Sequence, residues 1–254
     1  MEIIHPEYVK YVYEVNRLRI KLAELITYRD SLKYHITKSL NIDYMLKIGA
    51  LECKLLKTKG NIEKDQRLID LIKAENLSFE EANEVVKKEY LEQDYKIALM
   101  DETVEKAIKD SRTTVLSEKE IIEINSYYMP LVKDLSPEIN PNNTIDQKDL
   151  FVAIRSKYIN GNINEIKKFK RFEKSDLYFD ELEVYKTEKP RLNELVEKVN
   201  SEINKIKSMY PYTKKVLIYD EILCRRRKDS LNKEIDENQA ILDDLEKQIK
   251  KFKK

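Results

Sequence analysis

Between Tyr8 and Ile36, nine side chains follow one another in steps of three and four: Tyr8, Tyr11, Val15, Leu18, Leu22, Leu25, Arg29, Leu32 and Ile36. That alternation holds them on one stripe of an α-helix and on no single face of a strand. Arg29 is the one charged member, either setting the register of the seam or lying at its edge. The pattern returns at Ile48, Leu51, Leu55, Thr58, Ile62, Asp65, Ile69 and Ile72, and again at Leu192, Leu195, Val199, Ile206 and Met209. A last run carries Leu231, Ile235, Asn238, Leu242, Leu245, Ile249 and Phe252. Seams this long and narrow predict an all-α fold of long coiled-coil helices. With only 3 glycines and 6 prolines in 254 residues, the chain has few places to turn. Such stripes can close on each other within one chain or between two, giving a homodimer; the pattern allows both.

Start and stop signals divide the chain further. His5-Pro6 fits a helix start, because proline is tolerated in the first turn. The stretch LNID at 40–43 is the first break expected, and Gly60 is a second place where a helix could kink. Ser78 with Glu81, and Ser117 with Glu120, have the spacing of capping boxes. The first predicts a helix over 79–109, and the second a helix running to Lys133 with a kink at Pro130. Thr144 caps another helix that ends near Asn160-Gly161, and 162–172 forms one more short helix. Long segments with short connections predict antiparallel neighbours. The resulting division is an N-terminal coiled-coil unit over 1–115, a small helical core over 116–174, and a C-terminal helical hairpin over 175–254 turning at Tyr210-Pro211-Tyr212.

The charge pattern narrows the function classes. There are 48 basic and 47 acidic side chains, a net charge of +1, which argues against a dedicated nucleic-acid or membrane-surface protein. The densest basic patch, Arg225, Arg226 and Arg227, is followed at once by Asp229, Glu234, Asp236 and Glu237, so its field is largely cancelled. No apolar run reaches the ~20 residues of a membrane span. Cys53 and Cys224 belong to no paired motif and read as reduced thiols of a cytoplasmic protein.

Little in the chain resembles catalytic machinery. His5, His35, Cys53 and Cys224 are not spaced as zinc ligands, and no phosphate-cradling glycine loop is present. The expectation is no enzyme activity, no metal and no cofactor. His35 reads as a partly exposed helix residue beside the first seam. Most of the 16 tyrosines, Tyr8, Tyr11 and Tyr158 among them, read as packing residues with a polar tip.

One passage departs from this plainness. YMPLVKDLSPEINPN, residues 128–142, ends in a turn with two prolines, followed by an apolar face of Phe151, Ile154 and Tyr158. It resembles the second helix, turn and third helix of a J domain, with Tyr128, Leu131 and Leu135 as the matching core positions of the first of these helices. KYINGNINEIKKF, YMLKIGALECKLLK, the Glu89 to Tyr95 region and MYPYTKKVLIYDE resemble parts of bacterial J-like proteins in which the motif is embedded among coiled coils. The resemblance implies docking of a basic helix on a seventy-kilodalton heat-shock chaperone, whose ATP hydrolysis the family's His-Pro-Asp turn triggers. Here that turn is Ser136-Pro137-Glu138, and of the basic helix positions Lys133 remains while Asp134 reverses the charge. The expectation is a degenerate J-like core in a protein-interaction or scaffold protein that has lost or altered chaperone stimulation. A divergent co-chaperone using Lys133, Pro137 and Glu138 is the alternative, and a nucleic-acid-associated coiled coil is a third. Read from its residues alone, the turn needs no such role. Pro137 and Pro141 fix φ, while Asn140, Asn142 and Asn143 suit the reversal between two packed helices.

Overall fold

The computed structural model of the chain describes residues 6–112, 115–169 and 182–252. His5, Ser175 and residues 170–172 lie outside them. Among the described residues there is no strand: the fold is all-α. The helices are α1 (Pro6–Ser31), α2 (Thr37–Tyr44), α3 (Ala50–Ala74), α4 (Phe79–Glu89), α5 (Leu91–Ser111), α6 (Glu118–Leu135), α7 (Ile145–Ile159), α8 (Ile163–Lys168), α9 (Leu182–Ser208), α10 (Lys215–Tyr219) and α11 (Glu221–Phe252). Two π-helical turns, Leu32–Ile36 and Met45–Gly49, flank α2.

The chain forms two compact units, and neither is contiguous in sequence. One spans Met1–Ser39 with Thr114–Thr213, and the other Leu40–Thr113 with Lys214–Lys254. This replaces the division at 115 and 174, and it parts the expected C-terminal hairpin, placing α9 in the first unit and α11 in the second. The reason lies in the seams. Each long N-terminal helix pairs with a helix from the far end of the chain instead of with its neighbour.

In the first unit α1 lies against α9. Tyr8 meets Tyr185 edge to face, Lys189 reaches Glu14, and Arg29 reaches Glu202. Residue numbers rise together on both sides, so the two helices run parallel. The expectation of antiparallel neighbours concerns helices joined by short connections, whereas α1 and α9 are separated by residues 32–181, the long return path that a parallel pair needs. Val15, Leu22, Ile26, Leu192, Val196 and Val199 fill the interface, each no more than 3% exposed. The seam on α1 is therefore closed within the chain, as it is in the second unit.

There α3 and α11 repeat the arrangement. Arg227 donates to Glu52, and Lys59 meets Glu234 one heptad further along both helices. Leu68, Ile69 and Leu71 of α3 share a core with Ala82 and Val86 of α4 and Leu245 and Ile249 of α11. The Ser78–Glu81 capping box starts α4 as predicted. The predicted single helix over 79–109 is instead two, broken at Tyr90 and continuing to Ser111. Gly60 marks a close approach more than a kink: a Cβ there would come within 3.1 Å of Ile97 Cδ1 on α5.

Two other expectations change. LNID does not break the helix, since all four residues lie within α2, and the irregularity sits in the π turns on either side. Met209, the expected end of the third seam, is 54% exposed and lies beyond the last residue of α9.

Candidate functional site

The turn at 136–143 is built from the first unit's helices. α6 begins with the Ser117–Glu120 capping box and continues through Pro130 to Leu135. α7 begins with a reciprocal box between Thr144 and Gln147, so both flanks are fixed by their own caps. Tyr158 near the end of α7 donates to Asn125 near the start of α6, at 2.7 Å, so the two helices run antiparallel. Between them Tyr128 and Tyr158 stack with ring centroids 3.9 Å apart, and the Phe151 ring lies nearly parallel to Tyr128 at 6.3 Å. Leu131, Leu135 and Ile154 complete this core, none more than 3% exposed. Gly161 ends the pair with φ +70°, a conformation in which a side chain would be strained.

Within the turn the asparagines bond to the main chain they reverse. Asn140 Nδ2 donates to the Lys133 carbonyl at 2.8 Å, and Asn143 Nδ2 to the Leu135 carbonyl at 3.0 Å. Pro137, Pro141 and Asn142 face solvent. Ser136 does not: it is fully buried, and its hydroxyl has no hydrogen-bond partner. A larger ring at position 136 would have to displace packed neighbours.

Three arginines outside the turn hold it. Arg19 on α1 donates to Asn140 Oδ1. Arg191 on α9 donates to the carbonyls of Glu138 and Ile139, at 3.2 and 2.9 Å. Arg29 on α1 forks onto Glu138, with both N–H···O bonds at 2.9 Å. The same guanidinium serves Asp30 and Glu202, each at 3.0 Å. One cation thus faces three carboxylates from three parts of the chain. Burial works against the charge on Arg29, but Glu138 and Asp30 outweigh it and push its pKa up. Burial likewise raises Glu138, yet the bonds and charge of Arg29 prevail and its pKa falls below the ordinary carboxylate value.

Asp30, 1% exposed, is the innermost of the three carboxylates. Tyr128 donates to its Oδ2 at 3.1 Å, and Arg155 Nε lies 3.7 Å away, too far for a hydrogen bond. Burial, then the Asp30 charge, drives the Tyr128 phenol well up, so it stays a donor. A cleft of about 520 Å³ opens beside this network, lined by Lys33, Arg155, Lys205 and Ile206 together with the Arg29 cluster.

His35, read as partly exposed, is buried at 7%. It lies in the Leu32–Ile36 π turn, which carries more residues than an α turn and shifts the phase of the side chains. Its ring meets Tyr158 edge to face at 4.8 Å. Burial lowers its pKa to about 4, with the Tyr158 backbone opposing and Lys38 reinforcing that fall.

The remaining candidates lie apart from this site. Arg225 and Arg226 are exposed on α11, and Arg227 is paired with Glu52. Cys53 and Cys224 are free, buried thiols. No group of three or more metal-binding side chains occurs among the described residues, and none of the described helices is long and apolar enough to cross a membrane.

Arg19, Arg191 and Asp30 were not legible as site residues, because a charged residue in a polar-rich helix gives no sign of its distant partner. Arg29 gave a hint, as the charged member of an apolar seam. Comparison with protein families, curated proteins and solved structures finds no match to this chain.

Proposed function

We propose that this is a non-enzymatic protein-interaction or scaffold protein in which Ser136-Pro137-Glu138 is a structural joint, not a chaperone trigger. One observation carries the reading: the Glu138 carboxylate, Asn140 Oδ1 and the Glu138 and Ile139 carbonyls are engaged within the chain by Arg29, Arg19 and Arg191. A trigger must offer such groups to a partner. Here Glu138 would first have to leave a two-pronged ion pair, and Ser136 would have to leave the core. Both departures cost more than a surface contact normally returns.

Exposed apolar side chains on α5 supply a contact face for a protein partner. Leu91, Tyr95 and Leu99 follow at four-residue spacing, 65%, 64% and 45% exposed. The co-chaperone alternative rests on Pro137, which is exposed, and on Lys133 and Glu138, which are half-buried.

Single-turnover ATP hydrolysis by a bacterial seventy-kilodalton chaperone separates the two readings. The natural protein and an Arg191→Ala variant, which frees two carbonyls of the turn, are compared with chaperone alone. The expected result is no stimulation by either. Stimulation by the natural protein overturns the joint and establishes a co-chaperone.

A further inference from the structure

We propose that the cleft beside Arg29 binds a small oxyanion, a phosphate or carboxylate group, between Lys33, Arg155 and Lys205. The inference is independent of the role assigned to the turn. It begins with the local charge balance. The cleft is lined by four cations, Arg29, Lys33, Arg155 and Lys205, against three carboxylates, Asp30, Glu138 and Glu202. All three carboxylates are hydrogen-bonded to Arg29, so their charge is directed inward at one guanidinium.

The other three cations are left without a comparable partner. Among the described residues, Lys33 contacts the Tyr34 ring at 5.2 Å and has no carboxylate within ion-pair distance. Lys205 has none either. Arg155 donates to the Tyr34 hydroxyl at 3.3 Å, and its nearest carboxylate, Asp30, lies at 3.7 Å. Three cations from different elements therefore meet at one concavity with a surplus of positive charge. An oxyanion there would accept charge-assisted hydrogen bonds from all three, which are about twice as strong as neutral ones.

The backbone points to the same place. Lys33 belongs to the π turn Leu32–Ile36, and Asp30 stands just before it. Single π turns within helices are uncommon and occur often at functional sites, where the added residue re-aims side chains. Ile206 gives the cleft an apolar wall that limits access of water to one side of a bound anion.

Isothermal titration of the full chain with inorganic phosphate, and separately with succinate, tests the site. Ionic strength is held constant with sodium chloride, so that general screening does not pass for binding. The expected result is saturable binding of at least one probe. The preferred probe identifies the anion as phosphoryl or carboxylate. Lys33→Gln with Lys205→Gln should weaken it by about tenfold or more, the effect of losing one charge-assisted contact or more. Both lysines are exposed, and thermal melts of the double variant check that it folds as the natural chain does. Absence of saturable binding to both probes, or undiminished binding by a folded double variant, overturns the proposal.

Discussion

Arg29 and Glu138, 109 residues apart in sequence, face each other through two parallel hydrogen bonds of 2.9 Å. This pair ties α1 to a turn near the middle of the chain, and it shares its guanidinium with Asp30 and Glu202. The stability of the first unit should therefore depend on one side chain more than on any of the carboxylates it serves.

Arg29→Ala removes the cation from three carboxylates, one of them fully buried. Leaving buried charge unpaired typically costs about 3–5 kcal/mol. Arg29→Lys keeps the charge but loses the fork, and should recover only part of that loss. Urea midpoints of the three proteins check this. Equality of the lysine variant with the natural protein would show that charge alone matters.

Glu138 contributes through its lowered pKa. A carboxylate with a depressed folded pKa stabilises the fold above its unfolded value and loses that contribution as pH falls through the folded one. The acid limb below pH 4.5 should thus contain a Glu138 component. Glu138→Gln should be less stable at pH 7 and less sensitive to acid. A parallel acid limb in the two proteins would refute the assignment.

His35 acts in a higher pH window. Its folded pKa of about 4 lies below the unfolded value of 6.5, so the unfolded chain binds the proton first. Its contribution is fully present above pH 6.5 and declines as pH falls towards 4. Comparing urea midpoints at pH 7 and pH 5 should reveal a drop in the natural protein. His35→Gln should shrink that drop, and an unchanged one would exclude His35 as its source.

Gly161 sits at φ +70°, where an added Cβ would also stand 3.3 Å from Leu116. Gly161→Ala should destabilise the protein by about 1–2 kcal/mol, the usual cost of the left-handed conformation for a residue with a side chain. Thermal denaturation measures it. A neutral result would mean that the backbone can relax out of that conformation.

Seams and caps were legible in the sequence because they are local. Ser78, Ser117 and Thr144 each announce a helix start within four residues; the two expected boxes form, and the Thr144 cap is completed by Gln147. The partner of a seam is not local. Val15 and Leu22 specify an apolar stripe but say nothing about whether α9 or a neighbouring segment will cover it, so the parallel pairing was out of reach. The candidate turn was visible in Ser136-Pro137-Glu138, whereas its ties were not. Arg19 and Arg191 have no neighbouring residue that marks them as different from the many exposed cations. The π turns were equally silent, because a single added residue does not disturb a three-four pattern enough to be seen. His35 was misplaced for that reason.

The parallel pairing also bears on the order in which the chain is made. A nascent chain that has reached Thr113 already contains α1 and α3, but neither of their long partners exists yet. The α1 stripe must wait for α9 (Leu182–Ser208), and the α3 stripe for α11 (Glu221–Phe252). Both apolar stripes are therefore left uncovered by their eventual partners while all the intervening residues are made, an interval in which self-association competes with folding.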